Sequence, residues 1–172
     1  MHEMKWPPTF SKEGRLNVVI EAPYKSRNKY SYDEDTGLFK LKKILPSGLS
    51  FPCDMGFIPG TIGEDKDPLD VLVLMDEITY PGCLVECRLL GAIKATQKEK
   101  NGKLIRNDRF ICVPAEMKEY NHLKELKDMN KHKLKSITNF FIAYNAFYNI
   151  SFGVIGNVNA EQAKKMIQKS II

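Results

Sequence analysis

The sequence predicts an α+β fold that is mainly β, a small barrel with two or more helices packed outside it. Short β-branched segments separated by Pro and Gly turns fill the chain as far as Pro114. Beyond that point the apolar spacing changes from two to three and four, which marks the change from strand to helix. Strands first and helices after is the order of an α+β chain. With 172 residues, 43% hydrophobic and 27% charged, one domain over residues 1–172 with a full core is expected.

Residues 1–14 read as an arm with little regular structure. Leu16 to Glu21 is a β-branched strand stopped by Pro23. Asn28 to Tyr32 and Leu38 to Lys42 form an antiparallel pair around the turn Asp33-Glu34-Asp35-Thr36-Gly37. Pro46-Ser47-Gly48 breaks the chain. Phe51 to Gly60 is expected to be extended but irregular, because two prolines and two glycines argue against a central strand. Val71 to Met75 is a buried strand, and Pro81-Gly82 a turn. A long strand runs from Leu84 to Thr96 with a bulge or bend at Gly91. Lys98 to Ile105 is a polar hairpin tip, and Arg106 to Val113 the last core strand. Leu134, Ile137, Phe141 and Tyr144 then predict a helix from Lys133 to Ala146. Asn159 caps a second helix, with Gln162 in the capping-box position and Ala160, Ala163, Met166 and Ile167 on its apolar face.

Composition narrows the function. A formal charge of +5 suits a polyanionic ligand. Met1 to Pro8 contains no apolar h-region, so no signal peptide is expected. The longest apolar runs, Val71 to Met75 and Phe140 to Tyr144, are far short of a membrane span, so no membrane partner is expected. Cys53, Cys83, Cys87 and Cys112 form no CxxC pair and lack histidines at zinc-ligand spacing. They read as reduced, mostly buried thiols of a cytoplasmic protein.

The most informative stretch is Gly63-Glu64-Asp65-Lys66-Asp67-Pro68-Leu69-Asp70, three aspartates within six residues at the mouth of a buried strand. Ionised carboxylates this close repel one another. Solvation, raised pKa values or bound cations relieve that repulsion. Pro68 limits the backbone between Asp67 and Asp70. Mg²⁺ uses one or two carboxylates and completes its octahedron with water and phosphate oxygens. The stretch is therefore a candidate Mg²⁺ platform. The alternative is an acidic turn that only separates two strands. An EF-hand is excluded, because its third ligand would fall on Leu69 and its glycine on Asp70.

Basic residues supply the complement: Lys25, Arg27, Lys29, Lys40, Lys42 and Lys43. Strand alternation puts Lys40 and Lys42 on one face and Lys43 on the other. In Arg106-Asn107-Asp108-Arg109, alternation pairs Asn107 with Arg109 and Arg106 with Asp108. That quartet is either a phosphate clamp or a salt-bridged strand end. Tyr144 is a core residue first, with a hydroxyl that can reach a polar site. Lys118 to Lys135 carries six lysines mixed with acids but only Tyr120 as an aromatic. That is a solvated face rather than a nucleic-acid surface, so no nucleic-acid partner is expected.

Together, the strand order and Asp65-Lys66-Asp67-Pro68-Leu69-Asp70-Val71 resemble the soluble family I inorganic pyrophosphatases and their Asp-x-Asp-Pro-hydrophobic-Asp signature. Val18-Val19-Ile20-Glu21, Lys29-Tyr30, Phe51-Pro52-Cys53, Gly56-Phe57-Ile58-Pro59, Pro81-Gly82 and Phe140-Phe141 with Tyr144 are in step with it. The resemblance implies a five-stranded OB-like barrel, Mg²⁺ as cofactor, pyrophosphate as substrate, and a homo-oligomer. It makes Asp67 the general base and Asp65, Asp67 and Asp70 metal ligands, with Asn107 and Asp108 as candidates for the outer ligands. Glu21, Lys29, Lys43, Arg109 and Tyr144 would line the substrate site.

Several residues depart from the family pattern. Lys66 stands where a small residue is usual, Gln97 and Asn107 where aspartates are usual, and Phe51 and Met55 where tyrosines are usual. Ser31 replaces a glutamate and Asn145 a lysine, while Lys43 and Arg109 exchange cation type. The alternative function is accordingly a catalytically impaired homologue that binds phosphoanions or metal. An OB-type oligonucleotide binder is a third reading.

Overall fold

A computed structural model describes residues 6–99 and 101–172. Residues 1–5 of the expected arm and Lys100 of the expected hairpin tip lie outside the described residues. The strands are β1 (Leu16–Ala22), β2 (Asn28–Asp33), β3 (Leu38–Ile44), β4 (Asp54–Phe57), β5 (Asp70–Val73), β6 (Leu84–Lys98), β7 (Leu104–Arg106), β8 (Arg109–Pro114) and β9 (Ser151–Asn159). The helices are α1 (Lys131–Phe147) and α2 (Ala160–Lys169).

Five strands close into a ring in the order β1-β4-β5-β8-β6, with β6 pairing back onto β1. All these pairings are antiparallel except β5–β8, which is parallel. Closure removes the free edges that an open sheet would expose. Strands β2 and β3 form a separate two-stranded sheet. Among the described residues, no helix is long and apolar enough to cross a membrane.

The uninterrupted apolar runs follow from burial on both faces. Along β5, Val71 and Val73 enter one hydrophobic cluster while Leu72 enters the other. Along β8, Phe110 and Cys112 join the first, and Ile111 and Val113 the second. The cluster of Leu72 and Ile111 takes Ile137, Phe140, Phe141 and Tyr144 of α1. The cluster of Val71 and Phe110 takes Ala163 and Ile167 of α2. Asn130 caps α1 by accepting from His132 N–H at 2.8 Å. Asn159 accepts from Gln162 N–H at 2.9 Å, and Gln162 accepts in return from Asn159 N–H at 3.4 Å, which completes the expected capping box.

Three expectations are corrected. First, part of Phe51 to Gly60 is a regular, fully buried strand, β4. Pro52 and Pro59 flank it instead of interrupting it, and Gly56 is there because β1 crosses so closely. A Cβ at Gly56 would stand 1.9 Å from Val19 O. Second, Arg106 to Val113 is not one strand. It breaks at Asn107 and Asp108, where Asp108 Oδ1 accepts from Ala95 N–H at 2.9 Å and Asn107 N–H donates to Ala95 O at 3.0 Å. Third, Ser151–Asn159, for which no strand was expected, pairs antiparallel along β6. Its Gly153, Gly156 and Asn157 mask the alternation of Phe152 and Val154. The expected bulge at Gly91 is present as a register shift between Leu89 and Gly91.

Candidate active site

The acidic stretch folds as a tight loop into β5. Gly63 N–H donates to Asp67 O at 2.8 Å, and Lys66 N–H to Gly63 O at 3.1 Å. Lys66, standing where a small residue is usual, has φ +69°, the left-handed conformation that glycine adopts most readily. Asp67 N–H donates to Asp65 Oδ1 at 3.2 Å. The loop is anchored at its base. Leu69 N–H donates to Thr61 Oγ1 at 3.1 Å, Ile62 N–H to Ser170 O at 2.8 Å, and Ile172 N–H to Gly60 O at 3.1 Å.

This loop forms one wall of a cavity of about 570 Å³. Glu21 enters from β1, Lys29 from β2, Lys43 from β3, Arg109 from β8 and Tyr144 from α1. With Asp65, Asp67, Asp70 and Asn107 they all line it. Asp108, also expected at the site, does not line this cavity. It faces a neighbouring one and pairs with Arg106 at 2.8 Å. The predicted alternation of the quartet therefore holds across the strand break. The predicted separation of Lys42 from Lys43 does not, since both line the cavity. A bulge between Lys29 and Tyr30 sets Lys42 out of register, so neighbouring residues turn to one side.

Burial controls the electrostatics. It pushes the Glu21 carboxyl up, and Lys29, whose Nζ lies 3.6 Å from Glu21 Oε2, only partly counters this. Burial would lower Lys29, but attraction by Asp70 and Glu21 outweighs it and the ammonium ends above its ordinary value. Lys43 is lowered, first by burial and then by repulsion from Lys29 and Lys42. Its Nζ donates to Tyr144 Oη at 3.4 Å and lies 4.2 Å from the Tyr148 ring centroid. Burial likewise raises the Tyr144 hydroxyl. Arg109, 3% exposed, reaches Asp70 Oδ2 at 2.9 Å and stacks 4.7 Å from the Phe141 ring centroid.

Asn107 links both signs of charge. Its Nδ2 donates to Asp65 Oδ2 at 3.0 Å and to Gln97 Oε1 at 2.9 Å, while its Oδ1 accepts from Arg109 Nη1. Gln97 Nε2 donates onward to Glu99 Oε1 at 2.6 Å. Among the described residues, no three His, Cys, Asp or Glu side chains converge as a ready-made cage. The donors nonetheless fit a hard divalent cation. Burial raises the Asp65 carboxyl, and Asp70 and Asp67 add repulsion to it. Mg²⁺ needs only one or two such oxygens, with water and substrate supplying the rest.

The cavity also takes Trp6, Glu99 and Tyr148, none singled out from sequence. Tyr148 follows Tyr144 at helical spacing, which was the available signal. Trp6 and Glu99 are brought in by tertiary structure and carried no signal. Of the departures from the family pattern, Ser31, Met55, Gln97 and Asn145 line the cavity, whereas Phe51 is core, 5.3 Å from the Phe140 ring centroid.

A closed OB-like barrel whose rim sets crowded carboxylates against buried cations defines a polyanion-handling protein. The model of the inorganic pyrophosphatase family matches residues 18–172. The chain belongs to the family I inorganic pyrophosphatases. It is 39% identical over 137 residues to the inorganic pyrophosphatase of Synechocystis sp., covering 80% of this chain and 78% of that protein. It is 36% identical over 153 residues to that of Methanosarcina mazei, covering 89% and 88%. The crystal structure of the inorganic pyrophosphatase from Thermus thermophilus superposes with a TM-score of 0.86 at 32% identity, covering 98% of this chain and 97% of that one.

Proposed function

We propose that the chain hydrolyses inorganic pyrophosphate to two orthophosphates in a Mg²⁺-dependent reaction. The observation that carries this is the convergence of Asp65, Asp67 and Asp70 with Lys29, Lys43, Arg109 and Tyr144 on one cavity, within a chain of this family. Asp65, Asp67 and Asp70 would hold the metal. When bound, Mg²⁺ neutralises phosphate charge and lowers the pKa of its water. Asp67, exposed on the loop, takes the proton of the attacking water. The bridging P–O bond breaks, and Lys29, Lys43 and Arg109 stabilise the charge that appears on the leaving phosphate. Tyr144 orients that phosphate through its hydroxyl. Asp70 and Glu21 together hold Lys29 in its charged form.

Phosphate release with Mg²⁺ tests this. Asp67→Asn should lower kcat by about 10²- to 10⁴-fold, the range for loss of a general base. Equal rates for wild type and variant would sink the reading. The same reading carries a cytoplasmic setting and a homo-oligomer, the latter tested by light scattering.

A further inference from the structure

We propose that Asn107 is a positioning residue and not a metal ligand, and that it makes one wall of the cavity a place where no divalent cation binds. This rests on the Mg²⁺-dependent reading above and concerns where in the cavity the cations sit.

Chemistry fixes the orientation of the Asn107 amide. A guanidinium only donates hydrogen bonds, and an ionised carboxylate only accepts them. The Asn107 oxygen must therefore face Arg109 and its nitrogen must face Asp65, as found. The nitrogen has no lone pair to give a metal. The oxygen is occupied by the Arg109 guanidinium and carries no formal charge to offset that cation's repulsion, unlike Asp70, which meets the same guanidinium through one of two carboxylate oxygens. The nitrogen's second hydrogen goes to Gln97 Oε1, and Gln97 is in turn engaged by Glu99. Asn107 and Gln97 are themselves uncharged, and their polar groups are taken up by one another and by Asp65, Arg109 and Glu99. Divalent cations are confined to the face of Asp65, Asp67 and Asp70. Asn107 serves them indirectly, by fixing Asp65 Oδ2 and by steadying the Arg109 that pairs with Asp70.

The experiment counts bound Mn²⁺ by electron paramagnetic resonance on the full chain, in the presence of methylenediphosphonate. The proteins are wild type, Asn107→Ala and Asn107→Asp, with folding checked by circular dichroism. Asn107→Ala should bind as many Mn²⁺ ions as wild type. Its kcat on pyrophosphate should fall by about 10- to 100-fold, the usual effect of losing a supporting contact. Its KM should stay within about threefold, as for an interaction expressed in the transition state. Asn107→Asp should bind one additional Mn²⁺, because two facing carboxylates with no donor between them need a cation. A folded Asn107→Asp with an unchanged count overturns the proposal. So does a missing Mn²⁺ in Asn107→Ala, or a wild type that binds none. The Ala count decides alone if the Asp variant does not fold. Because the count needs no turnover, a chain that binds Mn²⁺ as expected but releases no phosphate would fail the hydrolase reading alone.

Discussion

Arg109 Nη1 lies 2.9 Å from Asp70 Oδ2, so the most deeply buried cation of the cavity is tied to the aspartate that begins β5. The same guanidinium reaches Asn107 O at 3.0 Å and Asp108 O at 3.1 Å. One side chain thus holds the broken segment between β7 and β8 against the acidic loop. Removing a partner from a buried pair costs about 3–5 kcal/mol. Asp70 keeps some contact with water, which reduces that cost. Arg109→Met should destabilise the fold by about 2–3 kcal/mol in urea denaturation. Arg109→Lys should retain more stability but still lose activity, since an ammonium cannot reproduce the planar fork.

Asp65 gives a pH signature. Its carboxyl is raised in the fold, first by burial. A raised folded pKa means a stabilising contribution that is complete below the unfolded carboxylate value, about 3.9. It disappears as pH climbs through the folded value. At neutral pH the metal-free protein therefore carries a carboxylate it would hold better protonated. Metal-free Asp65→Asn should melt above wild type at pH 7, with the gap closing as the pH is lowered through the carboxylate range. Mg²⁺ should reverse the order. A gap that widens toward acid would contradict the assignment.

Lys43 carries the opposite sign. Its folded pKa is lowered by burial and by neighbouring lysines, so its charge opposes folding at neutral pH. That opposition is absent above the unfolded lysine value, about 10.4, and sets in as pH falls through the folded value. An anion in the cavity relieves it. Lys43→Met should raise the melting temperature of the ligand-free protein at pH 7 and raise KM for pyrophosphate by about tenfold, the cost of one charge contact. Differential scanning calorimetry and initial rates read the two effects separately.

Lys66 holds a conformation better suited to glycine. The left-handed region costs an L-residue roughly 1–2 kcal/mol. Glycine removes that strain but adds about 0.4–1 kcal/mol of unfolded-state entropy. Lys66→Gly should therefore change stability by less than about 1 kcal/mol. Lys66→Val, with a branched Cβ, should lose about 1–2 kcal/mol and disturb the Asp67 N–H contact to Asp65. Chemical denaturation of the two variants ranks them.

Gly56 admits no side chain. The nearest neighbours of an added Cβ are backbone atoms of Val19 and Ile20, which cannot rotate away. Gly56→Ala should cost about 3 kcal/mol or more, in the range reserved for core overpacking, and should be visible as poor soluble yield.

Much of this fold was legible in the sequence, because β-branched runs, helical spacing and capping residues each act locally. The capping box at Asn159 and the helix through Ile137 and Phe141 needed nothing beyond their own neighbours. β4 and β9 were hidden for a tertiary reason. Gly56 is dictated by the approach of another strand, and Ser151–Asn159 is a strand because β6 offers it an edge. Within the site, the cluster of Asp65, Asp67 and Asp70 announced itself by crowding. Alternation also paired Asp108 with Arg106, away from Asn107 and Arg109, and that separation survives the break after β7. Only the family resemblance had offered Asp108 as a ligand of the same site.

The lysines of the cavity and its crowded aspartates are mounted on different sheets. Lys29, Lys42 and Lys43 ride on the β2–β3 hairpin, while Asp65, Asp67 and Asp70 belong to the loop that feeds the closed barrel. Coulomb attraction falls with distance, so a small rotation of the hairpin alters the pull on an anion while leaving the spacing of the aspartates untouched. Asp70 attracts Lys29 across the gap, so the two mounts are coupled through charge. On the proposed reading, substitutions within residues 28–44 should act first on the grip on phosphate, and those within residues 63–70 first on the grip on metal.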